Sequence, residues 1–272
     1  LAVASPQFLL QEGLRTITLS VIFDNPSEGT TLKKLKLLTS PFSFYLSSSE
    51  SWIDVKPKSL VFSEQAPYQG QIKPSIRLDV TLELSANELP VSAPDVLEQM
   101  PVISSDLPLL CVLLNNQHVP ENKTIPYGLL KDLTVRKMTV AITVTEIKKL
   151  NLQNDFSSLS YKKPFEPFGT EPAIGDSLYL THPELCTKQL DTLSLQFEWM
   201  NPPTSLKDYY ANYKTLAALP PVLTTETALI TSNLDFKVNL SLVDKHSGIS
   251  LQELNLFDVA DAKTPKVASV NV

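Results

Sequence analysis

The stretch MTVAITVT at residues 138–145 decides the fold class, because it alternates apolar and small polar side chains without interruption. In a β-strand, successive side chains point to opposite faces, so this stretch has one apolar and one polar face. Residues 16–23, 77–84, 192–199 and 236–242 follow the same period of two. Strands with one polar face are typical of antiparallel sheets that pack in pairs. The sequence therefore predicts an all-β protein built of antiparallel, immunoglobulin-like β-sandwich domains.

The polar segment QNDFSSLS at residues 153–160 is typical of turns, and it follows a strand-like region that ends near Leu152. We therefore predict two domains, a β-sandwich over residues 1–152 and a second sandwich-like domain over residues 160–272. The chain starts in mid-pattern at Leu1, without an initiator Met. We expect it to be one portion of a longer protein, with the second domain truncated at its C-terminal end.

Helices are expected to be few and short. The chain has 21 prolines and only 7 glycines, and prolines at this density break long helices. Two stretches carry helical signals, residues 93–100 and residues 205–213. In the second, Ser205 is suited to cap a helix, and the acidic Asp208 stands where a capping box has its third helical residue. We predict one or two helices of one to three turns at the edge of a sheet.

The charge and hydropathy patterns argue against nucleic-acid and membrane partners. The formal net charge is −6, and no basic stripe is present that would neutralise a row of phosphates. No apolar run approaches the roughly 20 residues of a membrane-spanning helix.

Cys111 stands inside an apolar run and is predicted to be a small core residue. Its spacing from Cys186 does not decide whether the two form a disulfide, although a reducing compartment fits the pattern slightly better.

Residue types that carry enzyme chemistry do not form a motif. His118, His182 and His246 stand in separate loop-like segments, whereas metal sites normally show closely spaced ligand pairs. Glycine-rich phosphate-binding motifs and GxSxG are absent. Asp155 and Asp176 are interpreted as turn-stabilising residues. The sequence predicts no enzyme activity, no cofactor and no metal site, and a hydrolase with dispersed catalytic residues is the less favoured alternative.

The most distinctive stretch is YKKPFEPFGTEPAIGDSLYL at residues 161–180. Its prolines fix the backbone, and its glycines allow sharp turns or close approach. The two phenylalanines offer large apolar area at a small cost in entropy, so the loop either closes the core of its own domain or anchors a partner subunit. The candidate residues for either role are Phe165, Phe168, Gly169, Pro172 and Tyr179.

A second aromatic group comprises Trp199, Tyr209, Tyr210 and Tyr213. One interpretation is a subunit interface, where Tyr and Trp provide buried anchors with polar tips. The other is a sugar-binding platform of exposed aromatic faces on a β-sandwich. Trp199 alternates with core positions and is predicted to point inward, which weakens the second interpretation.

Several stretches of the chain together resemble one protein family. Residues 4–23, ASPQFLLQEGLRTITLSVIF, contain a Ser-Pro and a Glu-Gly-x-Arg segment that leads into a strand. Residues 101–115, PVISSDLPLLCVLLN, precede a Tyr-x-x-Leu segment that begins at Tyr127. Residues 163–180 hold the most specific element, Pro-Phe-x-Pro-Phe-Gly-x-x-Pro-x-x-Gly-x-x-x-Tyr. In these elements and in their order over most of residues 4–257, the chain resembles the large baseplate wedge subunit of phage-tail-like extracellular contractile injection systems, of the antifeeding-prophage and virulence-cassette kind.

This resemblance implies a structural protein of the baseplate wedge, which links the tube and hub to the sheath and helps trigger contraction. The implied partners are other wedge subunits and the neighbouring sheath and hub proteins, and the resemblance implies no cofactor. The particle would assemble in the bacterial cytoplasm and act after its release from the cell. The alternative is a carbohydrate- or receptor-binding β-sandwich module of a tail-tip or cell-surface protein, which predicts exposed, coplanar aromatic rings.

Overall fold

The structure of the protein is a computed structural model that describes most of the chain. The described residues are 1–24, 32–38, 40–66, 74–94, 105–115, 126–131, 133–219, 223–243 and 248–272. They divide into two compact units, Leu1–Lys188 and Gln189–Val272.

Short strands dominate both units. The strands of the first unit are β1 (Ala2–Ala4), β2 (Leu14–Asp24), β3 (Phe42–Ser47), β4 (Trp52–Val55), β5 (Pro57–Gln65), β6 (Ser75–Leu84), β7 (Leu109–Leu114), β8 (Thr134–Thr145), β9 (Asn151–Asn154), β10 (Ser158–Leu159) and β11 (Leu178–Thr181). Those of the second unit are β12 (Thr192–Phe197), β13 (Lys214–Leu219), β14 (Leu223–Ala228), β15 (Lys237–Val243), β16 (Gly248–Asn255) and β17 (Lys266–Asn271). The helices are α1 (Leu32–Leu35), α2 (Pro126–Leu130), α3 (Pro183–Thr187) and α4 (Leu206–Tyr209), with 3₁₀ turns at Pro6–Phe8 and Asn233–Asp235. No described helix has the length and apolar character needed to cross a membrane.

Two four-stranded antiparallel sheets form a sandwich in the first unit, with strand orders β1-β7-β3-β4 and β5-β6-β2-β8. Apolar side chains from one face of each sheet share a buried core. The first sheet contributes Phe44, Leu46, Ile53, Val55 and Leu110, and the second contributes Ile17, Leu19, Val21, Phe62, Ile76, Leu78, Val80, Leu82 and Leu84. Burial of each of these side chains stabilises the fold by about 1.5–3 kcal/mol. The all-β, antiparallel, sandwich-like fold predicted from the alternating stretches is confirmed.

Each of the five alternating stretches overlaps a strand, and these strands are β2, β6, β8, β12 and β15. The apolar run around Cys111 forms β7, and Cys111 is buried there, as predicted. Cys186 is exposed in α3. Both cysteines are free thiols, so the two do not form a disulfide.

A small third sheet, of order β10-β9-β11, lies across the predicted domain boundary. β9 pairs with β10 on one side and with β11 on the other, so residues on both sides of the polar segment 153–160 belong to one sheet. This segment is a tight turn between two paired strands instead of a linker. The first compact unit accordingly extends to Lys188 and includes residues that the sequence had assigned to the second domain.

The helices are short, as predicted, although the described chain has four rather than one or two. Residues 205–213 begin with α4, and the Ser205 side chain accepts a hydrogen bond from the Asp208 backbone N–H at 3.2 Å, as its capping role requires. The predicted helix at 93–100 lies largely outside the described residues. Each of the four helices has four or five residues, too few for a helical period to stand out in the sequence.

The second unit consists of three antiparallel strand pairs in its described part, namely β12 with β17, β13 with β14, and β15 with β16. The β15–β16 register shifts between Leu240 and Ser241. Asn233 begins the 3₁₀ turn of this unit and connects it to α4, because its Oδ1 accepts a hydrogen bond from the Leu206 N–H at 2.9 Å. Its Nδ2 also donates to the Asp258 carbonyl at 3.1 Å.

The Glu-Gly-x-Arg segment has a structural explanation at the start of β2. Gly13 has a φ of +80°, and a Cβ atom there would lie 2.2 Å from the Thr145 carbonyl oxygen, so only glycine fits. Arg15 is fully buried in the first unit. Its guanidinium donates to the carbonyl oxygens of Leu10, Ser85, Glu88 and Leu89, at 2.6 to 3.3 Å. One side chain therefore satisfies several backbone acceptors where two loops meet.

Candidate interaction surface

Residues 160–177, between β10 and β11, form an extended loop that we call the aromatic loop. Two aspartates hold its C-terminal part. Asp155 Oδ2 accepts a hydrogen bond from the Ser177 N–H, and Asp176 Oδ2 accepts one from the Ala173 N–H, both at 2.6 Å. Hydrogen bonds of this kind fix turns whose backbone groups have no strand partner. The interpretation as a turn-stabilising residue is confirmed for Asp176, whereas Asp155 instead joins the turn after β9 to Ser177, 22 residues away.

Asn154 fixes the other part of the aromatic loop. Its side chain is buried at the end of β9, with only 2% of the residue exposed. Its Oδ1 accepts from the Phe156 N–H at 3.0 Å and the Ser157 N–H at 2.8 Å, while its Nδ2 donates to the Glu166 carbonyl at 3.3 Å. A single buried amide thus connects the turn before β10 to the middle of the loop.

Gly169 allows a close approach inside the aromatic loop, as the sequence predicted for its glycines. Its φ is +81°, and a Cβ atom at this position would lie 3.0 Å from two atoms of the Phe156 ring. The ring therefore lies against the glycine backbone. Pro172, farther along the loop, is exposed.

Large apolar side chains of this loop and of the segments beside it are exposed to solvent. The exposed fraction is 66% for Phe156, 38% for Phe165 and 53% for Tyr179, and Ile174 is fully exposed. Phe168 is half-buried, and none of the side chains at 160–177 is buried. A loop that closed a core would bury its phenylalanines. The exposure therefore supports the interface alternative, which stays a prediction.

The aromatic side chains of the second unit form a packed cluster. The Trp199 Nε1–H donates to the Leu256 carbonyl at 2.9 Å, and its ring stacks on Phe257 at a centroid distance of 5.1 Å. Phe197 lies on the same ring at 6.4 Å, nearly parallel to it. Trp199 is half-buried and points into its own unit. Its role in this structure is packing within the unit.

Tyr209 and Tyr213 are the exposed members of the second aromatic group, and Tyr210 is half-buried between them. The Tyr210 ring meets Tyr209 at 82° and Tyr213 at 69°, and both contacts are edge to face. The Tyr210 ring is thus not coplanar with either of the two neighbouring tyrosine rings. Stacking on the flat face of a sugar ring requires an open aromatic face, and no shared flat face forms here.

A group of buried charges lies at the opposite end of β11 from the aromatic loop. Glu184 Oε2 pairs with Lys188 Nζ at 2.7 Å, and Glu184 Oε1 accepts from the Gln11 N–H at 2.6 Å. The two side chains of the pair are only 3% and 7% exposed. Burial lowers the pKa of Lys188 below its usual value, while the Glu184 carboxylate opposes that change.

His182 belongs to the same group. It caps α3, where its Nδ1 accepts from the Glu184 N–H at 3.3 Å, and its Nε2 lies 3.9 Å from Glu12 Oε1. That same Glu12 oxygen accepts from the backbone N–H groups of Lys148 and Lys149, at 2.8 and 2.6 Å. The sequence placed His182 in an isolated loop and missed this network. The one signal was Glu12, which is part of the Glu-Gly-x-Arg segment.

The buried charges join chain segments and leave no arrangement typical of a metal centre. Within the described ranges, no three or more His, Cys, Asp and Glu side chains form a group that could hold a metal ion. His118 and His246 lie outside the described residues. The role of the network in this structure is to attach α3 to the sandwich.

Comparison with protein-family models and with curated proteins finds no match for the chain. The geometry of the aromatic loop and the resemblance carried by residues 163–180 are therefore the observations that bear on function.

Proposed function

We propose that the chain is a structural, non-enzymatic part of the baseplate wedge of a contractile, phage-tail-like injection particle. In that role it joins neighbouring wedge subunits and helps link the tube and hub to the sheath. The particle is assembled in the bacterial cytoplasm and acts after release. The proposal rests on the resemblance described above and on the surface of the aromatic loop.

The observation that carries the proposal is the combination of exposed apolar side chains with a fixed backbone. Phe165 and Ile174 of the loop and the adjacent Phe156 are exposed, yet Asn154 holds the loop at its middle and Asp155 holds it at its C-terminal end. A loop fixed before binding loses little conformational entropy when a partner covers it. Aromatic side chains on such a loop are typical of the buried anchors of protein interfaces.

The experiment removes two exposed anchors, with Phe165→Ala combined with Ile174→Ala. The variant is produced together with the complete set of particle proteins, and intact particles are counted by electron microscopy. We expect few or no assembled particles, because the wedge loses its contact. Phe168 is left unchanged because it is half-buried, and its loss would combine folding and binding effects.

The matched control is Leu37→Ala combined with Val61→Ala, which removes exposed apolar side chains elsewhere in the first unit. We expect particles in normal number with this control. Thermal unfolding, followed by Trp52 fluorescence in a Trp199→Phe background, should place both variants within about 0.5 kcal/mol of their parent. Normal assembly of the loop variant, or absence of the chain from purified particles, would rule the proposal out.

A glycan array tests the alternative function directly. The proposal expects no binding above background for the 272-residue chain. Specific glycan binding that is lost in Tyr209→Ala and Tyr213→Ala would instead favour a carbohydrate-binding module.

A further inference from the structure

We propose that β8 is a docking edge for a second copy of this chain, which pairs with it antiparallel about a two-fold axis at Ala141. The proposal concerns self-association and does not depend on the function proposed above. It rests on the asymmetry between the two edges of one sheet and on the sequence of β8.

β8 is the longest described strand and has β2 as its sole strand neighbour among the described residues. Its inward side chains pack on the sandwich core but stay half exposed; they are Met138, Val140, Ile142 and Val144. In β2, the direct cross-strand neighbours Leu19 and Ile17 are 2% and 0% exposed. No described strand covers the core along β8, and a further strand with apolar side chains at every second position would close it.

The other edge of the same sheet, β5, carries features that discourage strand addition. It begins with Pro57, its register with β6 shifts between Pro57 and Ser59, and Lys58 and Glu64 bring charges into the strand. α1 packs beside it. Proline, bulges, charges and covering helices are the common means by which proteins protect sheet edges.

β8 lacks these features over most of its length. From Lys137 to Thr145 its register with β2 is uninterrupted, and residues 138–145 contain neither a charge nor a proline. The eight residues 138–145 span about 27 Å at the usual rise of about 3.4 Å per residue. A long, uncharged edge presents a row of backbone donors and acceptors to another strand.

The sequence of β8 fits a reversed copy of itself. With Ala141 opposite its counterpart, Met138 faces Val144 and Val140 faces Ile142, so that apolar side chains meet on the inward face. On the outward face, Thr139 meets Thr143.

Charge favours the same arrangement. In this register Glu146, which follows the strand, comes opposite Arg136 of the other copy, and the exposed Lys137 lies opposite Thr145, one position from Glu146. A parallel, in-register pairing would instead set Lys137 against Lys137, and like charges directly opposite destabilise a sheet. The antiparallel pair would join two four-stranded sheets into one of eight strands.

The experiment places single cysteines on β8 in a Cys186→Ser parent, where the remaining cysteine, Cys111, is buried. Directly opposite residues of an antiparallel pair have Cα atoms about 4.5–5.5 Å apart, which is within disulfide range. Ala141→Cys should therefore give a covalent dimer on oxidation. Thr139→Cys should not, because its own copy lies about 14 Å away along the strand.

Mixing Thr139→Cys with Thr143→Cys, one of them tagged, should give the mixed disulfide as the main product.

Sedimentation gives a second test. The unmodified chain should sediment at twice its monomer mass, and Ala141→Lys should return it to monomer by bringing two charges together at the axis. Val61→Lys, on the outer face of β5, is the matched control and should leave the dimer intact. A chain that is monomeric at every soluble concentration, or Thr139→Cys cross-linking as readily as Ala141→Cys, would overturn the proposal.

Discussion

The carboxylate of Glu184 accepts a hydrogen bond of 2.6 Å from the backbone N–H of Gln11, which precedes it by 173 residues. Through this contact the short helix α3 is attached to the loop that leads into β2, and the ion pair with Lys188 at the end of α3 neutralises the buried carboxylate. The small sheet that carries the aromatic loop lies between these two points in the chain. Stability of the first unit and placement of the loop should therefore depend on the same buried pair.

Glu184→Gln is expected to destabilise the first unit by about 3–5 kcal/mol, because it leaves a buried ammonium group without its carboxylate. The variant Glu184→Gln with Lys188→Met should recover most of this loss, since the amide oxygen still accepts from Gln11 and no unpaired buried ammonium group remains. Urea unfolding followed by Trp52 fluorescence, in a Trp199→Phe background, measures the free energy of unfolding.

The control for this prediction is the exposed pair of Lys58 and Glu83, whose side chains are 63% and 35% exposed. Lys58→Met should change the free energy of unfolding by no more than about 1 kcal/mol. Equal losses in Glu184→Gln and Lys58→Met would show that the buried pair has no special role.

Gly13→Ala and Gly128→Ala should have opposite effects. At Gly13 the backbone is left-handed and a Cβ atom would collide with the Thr145 carbonyl, so we expect a loss of at least about 2 kcal/mol. At Gly128, in α2, nothing lies within 4 Å of the added atom, and alanine should stabilise the helix by about 0.5–1 kcal/mol. Thermal unfolding of both variants checks the signs, and a stable Gly13→Ala protein would contradict the structure at the start of β2.

Asp155→Ala should loosen the aromatic loop without unfolding the protein. The Ser177 N–H loses its acceptor, so its hydrogen exchange should become about tenfold faster, which corresponds to roughly 1.4 kcal/mol. Asp155→Asn retains an acceptor oxygen and should exchange at a rate closer to that of the parent. Hydrogen exchange measured by NMR reads this amide directly, and unchanged exchange in Asp155→Ala would mean that the hydrogen bond does not hold the loop.

Acid should weaken the second unit through Asp235. The backbone N–H groups of Thr231 and Ser232, with the Thr231 hydroxyl, hold the pKa of this carboxyl below its usual 3.8. Because the pKa is lower in the folded state, the stabilisation is complete above pH 3.8 and is lost as the pH falls through the lower, folded value. Asp235→Asn lacks this dependence, so the difference in stability between parent and variant should shrink on acidification.

Trp199 fluorescence in a Trp52→Phe background follows unfolding of the second unit over this range. A difference between parent and Asp235→Asn that stays constant from about pH 7 to about pH 2 would contradict the prediction.

The alternating stretches allowed the fold class to be predicted, because a period of two is a local property of each strand. The cap at Ser205 and the turn-stabilising role of Asp176 were predictable for the same reason, since each acts on a backbone N–H three residues away. The contact of Asp155 with Ser177, 22 residues away, was not. The extent of the first unit could not be predicted from the sequence. Its limit depends on β9 pairing with β11 across more than 20 residues, and polar turn residues look alike in a linker and in a hairpin.

By itself, the sequence of this protein determined that strands form, which of their faces are apolar, and which loop presents aromatic side chains. Only the tertiary structure decided that His182, Glu12 and Glu184 meet, that Arg15 is buried among carbonyl oxygens, and that the rings of the aromatic loop face solvent. The physical reason is separation along the chain: strand formation and capping depend on near neighbours, whereas burial and ion pairing depend on which distant segments the sheets bring together.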